Sequence, residues 1–290
     1  MITLFSSIPT ATLHRAQQTL KWIIYSLLII NWGFYIYEDW SRAIHTLHEN
    51  STILAWAGAF ATSIDESAWF ILLLMFELET YLIEDHDWTT WTAKIIHGVR
   101  AVCFIFLLHT VYAFTVTGIE YQPTIAVENA TSLCDLVGDD VAYVYNLEYT
   151  AVTEENCGNL SDATQFYKVG VDPVVATLSG LTLERHLAWA DIVEVVIWFL
   201  IFLLIELVIR LQSRGITDNY FIHWVGRYKI FFYSVLAGLA VYWASLSHWL
   251  YAWDTFLWIG GFAAIEVNIN EWRDELIEEQ RGPATTGDNT

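Results

Sequence analysis

Residues 194–210 read EVVIWFLIFLLIELVIR, an apolar stretch of membrane-spanning character that carries Glu194 at one end and Glu206 inside it. A carboxylate at membrane depth is expensive, so its presence indicates an ion pair, a bound proton or a function. The pattern of an acid, a Trp four residues later and a Glu eight residues after the Trp occurs three times without gaps: Asp65, Trp69 and Glu77; Glu194, Trp198 and Glu206; Asp254, Trp258 and Glu266. We interpret the three copies as an internal repeat.

The composition favours a membrane protein that attracts cations. Of the 290 residues, 55% are hydrophobic, and they are gathered into apolar runs of about 20 residues. The chain holds 33 Asp and Glu against 13 Lys and Arg, for a net charge of −20. This charge argues against nucleic acid as a partner and against a basic surface for anionic lipid. An alternative is that the acid excess only keeps the exposed parts soluble.

Hydropathy predicts six spans, and therefore an all-α polytopic membrane protein embedded in a lipid bilayer. The predicted spans are residues 21–37, 63–83, 94–117, 187–211, 225–244 and 250–267. We expect three antiparallel helix hairpins with pseudo-threefold symmetry, because the acidic motif falls on every second span. The membrane domains are then residues 1–117, with an interfacial segment at 38–60, and residues 186–270, followed by a cytoplasmic tail at 271–290.

Residues 118–185 differ in character from the rest of the chain. They contain 11 acids, only Lys168 and Arg185 as basic residues, and strand-like pieces such as VAYVYNLEYTAV. We predict a small acidic domain outside the membrane with α/β or β-containing structure. Cys134 and Cys157 both lie in it, and a disulfide between them is allowed in an extracellular or periplasmic location.

The basic residues predict the topology. With six spans, ten Lys and Arg fall on one side of the membrane and Arg42, Lys168 and Arg185 on the other. The positive-inside rule then places both termini in the cytoplasm and residues 118–185 outside. The expected location is a plasma membrane or a bacterial inner membrane.

The three acidic helices predict two tiers of carboxylates. On each helix the two acids are about 18 Å apart along the axis and about 120° apart around it. Asp65, Glu194 and Asp254 form an outer tier; Glu77, Glu206 and Glu266 form an inner tier. Lipid-facing acids are costly, so we expect both tiers to face the bundle interior or a hydrated cavity.

The functional hypothesis is a cation channel or a proton-coupled cation transporter. Rings of carboxylates with an apolar constriction are a known means of cation selection. In this interpretation Trp69, Trp198 and Trp258 form the constriction, or else they pack the repeats together. We expect no cofactor apart from a possible bound cation. No catalytic motif is present, so we do not expect an enzyme.

Two alternatives stay open. Lys21, Arg100 and Lys229 lie at the cytoplasmic ends of the odd-numbered spans, where each could form a structural ion pair with an inner Glu. The chain would then be a non-transporting assembly or sensor subunit, working as a homo-oligomer or with partner membrane subunits. The third hypothesis is a haem or metal protein, in which His109 and outer acids bind a transition metal.

Overall fold

The computed structural model describes residues 10–47, 50–78, 90–212, 214, 216, 220–263 and 266. Most of the chain is helical. The helices are α1 (Thr10–Thr46), α2 (Ile53–Ala59), α3 (Ala61–Glu77), α4 (Thr90–Glu120), α5 (Cys157–Leu160), α6 (Leu178–Gln212), α7 (Tyr220–Ser245) and α8 (249–263). The strands are β1 (Ala142–Tyr145), β2 (Glu148–Ala151), β3 (Tyr167–Lys168) and β4 (Val174–Ala176).

Among the described residues, three helices are long and apolar enough to cross a membrane: Gln18–Thr46, Lys94–Glu120 and Leu178–Leu211. A fourth span is present if α2 and α3, which meet at a 73° bend, count as one. α7 is not among these three helices. The membrane-protein class therefore has structural support, whereas six spans and threefold symmetry stay predictions.

The long helices extend beyond the predicted spans. α1 continues from the first span through residues 38–46, so the first part of the predicted interfacial segment belongs to that helix. α6 begins nine residues before residue 187. Neither extension contains Pro, and charged residues such as Glu38 and Glu184 are good helix formers. The helices therefore continue past the apolar runs, and hydropathy does not predict where they end. The tail at 271–290 lies outside the described residues.

The predicted small domain is a four-stranded mixed sheet in the order β2-β1-β4-β3. β1 and β2 form an antiparallel hairpin whose central residues, Asn146 and Leu147, both have positive φ, as in a type I′ turn. β1 pairs in parallel with β4, and β3 is antiparallel to β4. The predicted β content is thus confirmed.

The Cys134–Cys157 disulfide is also confirmed. It connects the 3-10 helix at Leu133–Leu136 to α5. Cys157 lies in an apolar cluster with Leu133, Phe166 and Val175 on one side of the sheet. A second cluster, which includes Tyr121, Val144 and Leu181, joins the sheet to the ends of α4 and α6.

The chain forms two compact units: Trp32–Val196, and Met1–Asn31 with Ile197–Thr290. In the first, α3 packs on α4. α4 also approaches α6 closely there, because a Cβ on Gly118 would lie 2.5 Å from Ile192 Cδ1. In the second, α1 approaches α8, with Ile24 Cδ1 3.5 Å from the Cβ position of Gly260.

Candidate functional site

Neutral donors bind two of the predicted outer acids. The indole N–H of Trp69 donates to Asp65 Oδ2 at 3.0 Å, one turn along α3. The side-chain amide of Asn31 on α1 donates to Asp254 Oδ1 at 2.8 Å, and both of these residues are buried. A carboxylate that receives such hydrogen bonds offsets part of its desolvation cost without a cation.

Cations bind two of the predicted inner acids. Lys229 Nζ lies 2.9 Å from Glu266 Oε2, and the hydroxyl of Tyr233 donates to the other oxygen of Glu266 at 2.8 Å. Glu206 pairs instead with Arg210, one turn along α6, at 2.9 Å. The side chain of Glu77 lies outside the described residues. Of the other predicted structural cations, Lys21 and Arg100 are both buried.

The three acidic helices bury the same positions relative to the motif Trp. The buried positions are the Trp itself and the residues three before, one before, three after and four after it. These residues are Glu66, Ala68, Trp69, Leu72 and Leu73; Val195, Ile197, Trp198, Ile201 and Phe202; Thr255, Leu257, Trp258, Gly261 and Phe262. Each motif Trp therefore lies on a packed face. This burial favours a role for the motif Trp residues in packing over a role as a constriction.

Glu194, the third outer acid, belongs to a larger charged group. Asp191 on α6 interacts electrostatically with Arg42 on α1 and with Glu194, Glu38 and Glu184. We name these four carboxylates and Arg42 the acid cluster. The positions 184, 191 and 194 share one face of α6, because spacings of seven and three residues follow the helical repeat. Two long helices thus bring four acids and one cation together at one end of the unit.

Arg42 is held by the small domain. Its Nε donates to the hydroxyl of Tyr149 on β2 at 3.3 Å, and its guanidinium lies 5.5 Å from the centre of the Tyr149 ring. The hydroxyl of Tyr149 is 3.3 Å from that of Tyr121, just beyond the end of α4. Burial, with a smaller contribution from Tyr149, raises the pKa of Tyr121 well above its ordinary value, so this phenol stays neutral.

Glu184 connects the acid cluster to the β-hairpin. It is fully buried, and its Oε1 accepts a hydrogen bond from the amide of Leu147 at 3.1 Å. The amide of Asn146 also donates to this carboxylate. Among the described residues, its Oε2 is buried and accepts no hydrogen bond. The type I′ turn, which aligns both amides, therefore binds this carboxylate through the backbone.

Sequence reasoning found Glu194 but missed what surrounds it. It placed Arg42 in an outer segment and did not consider Glu38 or Glu184. The spacing of the acids on α6 was a usable signal, because 184, 191 and 194 follow the helical repeat. The electrostatic interaction with Arg42 had no such signal, since it joins helices that lie far apart in sequence. Asp65 and Glu194 belong to one compact unit and Asp254 to the other.

The metal hypothesis gains no support. Within the part of the chain that the structure describes, no three His, Cys, Asp or Glu side chains are placed to bind one metal ion. Both ring nitrogens of His109 are buried and make no hydrogen bond to described residues. The acid cluster is thus spread too widely for direct coordination of one ion by three described carboxylates.

No family model, curated protein sequence or solved structure matches this chain.

Proposed function

We propose that this chain is an integral membrane cation transporter, either a channel or a proton-coupled carrier, and that the acid cluster attracts the cation. The observation that carries the proposal is the charge imbalance around Asp191. Four carboxyl groups are grouped with a single guanidinium, so acidic groups outnumber basic ones four to one in the acid cluster. Such a group at the end of membrane helices raises the local cation concentration.

The acidic small domain supports this proposal. It lies next to the acid cluster, because Tyr149 contacts Arg42 and the hairpin turn contacts Glu184. Its many carboxylates extend the negative field away from the membrane. Fields of this kind steer ions towards a binding site and depend on ionic strength.

We further propose that the three acidic helices are structurally equivalent parts of a threefold bundle. Their common pattern of burial supports this proposal, because unrelated helices would be buried on faces unrelated to the motif. The odd-numbered spans add a second correspondence. Leu28, Leu107 and Leu236 follow the three equivalent cations at the same spacing, and all are fully buried or nearly so, at 0%, 1% and 0% exposure.

The test is cation flux into liposomes that contain the purified protein. Asp191→Asn with Glu194→Gln removes two charges and keeps the side-chain shapes. We expect Na⁺, K⁺ or Ca²⁺ uptake to fall at least about tenfold, which corresponds to about 1.4 kcal/mol of lost attraction for the cation. Glu155→Gln is the matched control, because Glu155 is an exposed acid of the small domain. Unchanged flux in the double variant would remove the acid cluster from the mechanism.

The second candidate is a non-transporting assembly or sensor subunit. The pairs Lys229–Glu266 and Arg210–Glu206 and the hydrogen bond from Asn31 to Asp254 favour it, because each gives an intramembrane acid a structural partner. Here the wild-type protein conducts no cation, and Asp191→Asn with Glu194→Gln changes only stability. The same liposomes and a thermal melt of the same samples separate the two candidates.

A further inference from the structure

Among the described residues, the short helix α2 presents an exposed apolar surface. Its sequence is ILAWAGA, without a charged or strongly polar side chain, and none of its residues is buried. Ile53, Leu54 and Trp56 are 90%, 56% and 45% exposed. We name these three side chains the α2 face. An apolar surface of this kind indicates a binding partner or a membrane.

The location of α2 is fixed by its neighbours in the same unit. Asp39 of α1 accepts hydrogen bonds from the backbone amide and the hydroxyl of Ser63, at the start of α3. One turn further along α1, Arg42 contacts the small domain. α2 precedes α3 directly, so it lies at the end of the helices that carries the small domain.

The bend and the aromatic residues point to a membrane interface. α2 is tilted by 73° from α3, and the two helices are separated only by Phe60. Phe60 stacks on Trp56 with ring centres 6.1 Å apart, and it contacts Trp40 of α1 edge to face at 6.2 Å. Trp side chains concentrate at the level of lipid headgroups.

The length of α2 excludes a re-entrant loop that reaches the bilayer centre. Seven residues rise only about 10 Å, whereas half of the hydrocarbon core is about 15 Å. The helix is also capped within its own sequence: the hydroxyl of Thr52 accepts a hydrogen bond from the amide of Ala55 at 3.2 Å. Polar Ser51 and Thr52 precede the apolar residues directly.

We propose that α2 lies in the headgroup region of the bilayer, on the side of the small domain, with the α2 face inserted between lipids. α3 also carries exposed apolar side chains, Ile71 and Leu74, at 40% and 51% exposure, and an apolar surface on both helices fits lipid as the partner. This inference requires only that the chain is a membrane protein. It is independent of cation transport.

The experiment measures the depth of single nitroxide labels in liposomes of neutral phospholipid. Leu54→Cys and Trp56→Cys are made in a Cys103→Ala background, which keeps the disulfide intact. Ile105→Cys, an exposed position of α4 within its span, is the deep reference, and Glu155→Cys is the aqueous reference. Collision rates with oxygen and with a water-soluble nickel complex give the depth of each label.

We expect labels at 54 and 56 to lie between the two references. Nickel access equal to that at 155 would place α2 in water, and a depth equal to that at 105 would make it re-entrant. Low collision rates with both reagents would show that a second copy or another protein covers the α2 face. Each of these three results would overturn the proposal. If a variant does not fold, Ile53→Cys replaces it, since that side chain is almost fully exposed.

Discussion

Asp39 supplies the N-terminal cap that α3 lacks in its own sequence. The residue before α3 is Phe60, whose side chain cannot accept a hydrogen bond. Asp39 Oδ2 fills this role from α1, accepting from the Ser63 amide at 2.8 Å and from the Ser63 hydroxyl at 2.7 Å. The indole N–H of Trp32 donates to Ser67 one turn further, so polar contacts connect α1 to α3.

We therefore expect Asp39→Ala to destabilise the protein by about 1–2 kcal/mol, the usual effect of losing a cap. Asp39→Asn should cost less, because its amide oxygen can still accept one hydrogen bond. Thermal unfolding in detergent measures both changes. Ser41→Ala is the control, because the exposed Ser41 hydroxyl only donates to the carbonyl of Glu38 in its own helix. Equal melting temperatures for Asp39→Ala and Ser41→Ala would contradict the role of Asp39.

Asp135 gives the small domain a pH-dependent contribution to stability. Backbone amides of Thr131 and Ser132 donate to its carboxylate at 2.8 and 2.9 Å, and these hydrogen bonds lower its pKa. A lowered pKa in the folded state means that the stabilisation is fully present above the ordinary Asp value of about 3.9 and is lost as the pH falls through the lowered value.

The wild-type protein should therefore lose more stability than Asp135→Asn when the pH is lowered from about 5 to about 2, the range in which this carboxylate gains its proton. Calorimetric melting at several pH values measures the difference. Asp162→Asn, a change at an exposed acid of the same domain, should keep the wild-type pH dependence. Parallel pH curves for the wild type and Asp135→Asn would show that the hydrogen bonds to Asp135 do not matter to stability.

The sequence predicted the existence of the long helices more accurately than their boundaries. α1 passes through Glu38, Asp39 and Arg42 without interruption, because a charged residue changes the surroundings of a helix but not its backbone geometry. The turn at Asn146 and Leu147 lacks the Gly that normally marks a type I′ hairpin, so the hairpin was visible only as two strand-like pieces. Glu184, which binds both turn amides, compensates for the missing Gly.

Hydrogen bonds from Arg185 link the start of α6 to the end of α4. Its Nε donates to the carbonyl of Tyr121 at 2.7 Å, and its Nη2 donates to the carbonyls of Gln122 and Pro123 and to the hydroxyl of Thr124. These acceptors follow α4 directly. A cation near a helix C-terminus is also favoured by the helix dipole.

Arg185→Lys should loosen this junction, because a single ammonium group cannot reach acceptors that a planar guanidinium spans. We expect hydrogen exchange at the amides of Tyr121 and Gln122 to accelerate at least about tenfold, which corresponds to about 1.4 kcal/mol of local opening. Arg210→Lys is the matched control, since Arg210 is largely exposed and pairs with Glu206 of the same helix. Unaltered exchange in Arg185→Lys would show that the junction does not depend on the guanidinium.

For the whole molecule, periodicity and composition predicted the membrane class, the small domain and its disulfide. They did not predict the partners of the charges. Arg42 and Asp191 lie on helices that are far apart in sequence, and β1 pairs in parallel with β4 across two intervening strands and a helix. Such contacts depend on how elements fold together, and a single sequence carries no periodic signal for them. The acid cluster is therefore a product of tertiary structure, although Glu194 was visible in the motif.

The membrane topology can be tested at the two ends of one continuous helix, α6. α6 runs from Leu178, beside the small domain, to Gln212, and it is the most hydrophobic of the candidate spans. If α6 crosses the bilayer, its two ends face opposite sides, and the positive-inside rule places Arg210 and Arg214 in the cytoplasm. In intact cells, a membrane-impermeant maleimide should label Glu155→Cys but not Arg214→Cys, both in the Cys103→Ala background. Permeabilised cells are the control, in which both variants should react. Labelling of both in intact cells would show that α6 does not span the membrane, and labelling of Arg214→Cys alone would invert the proposed orientation.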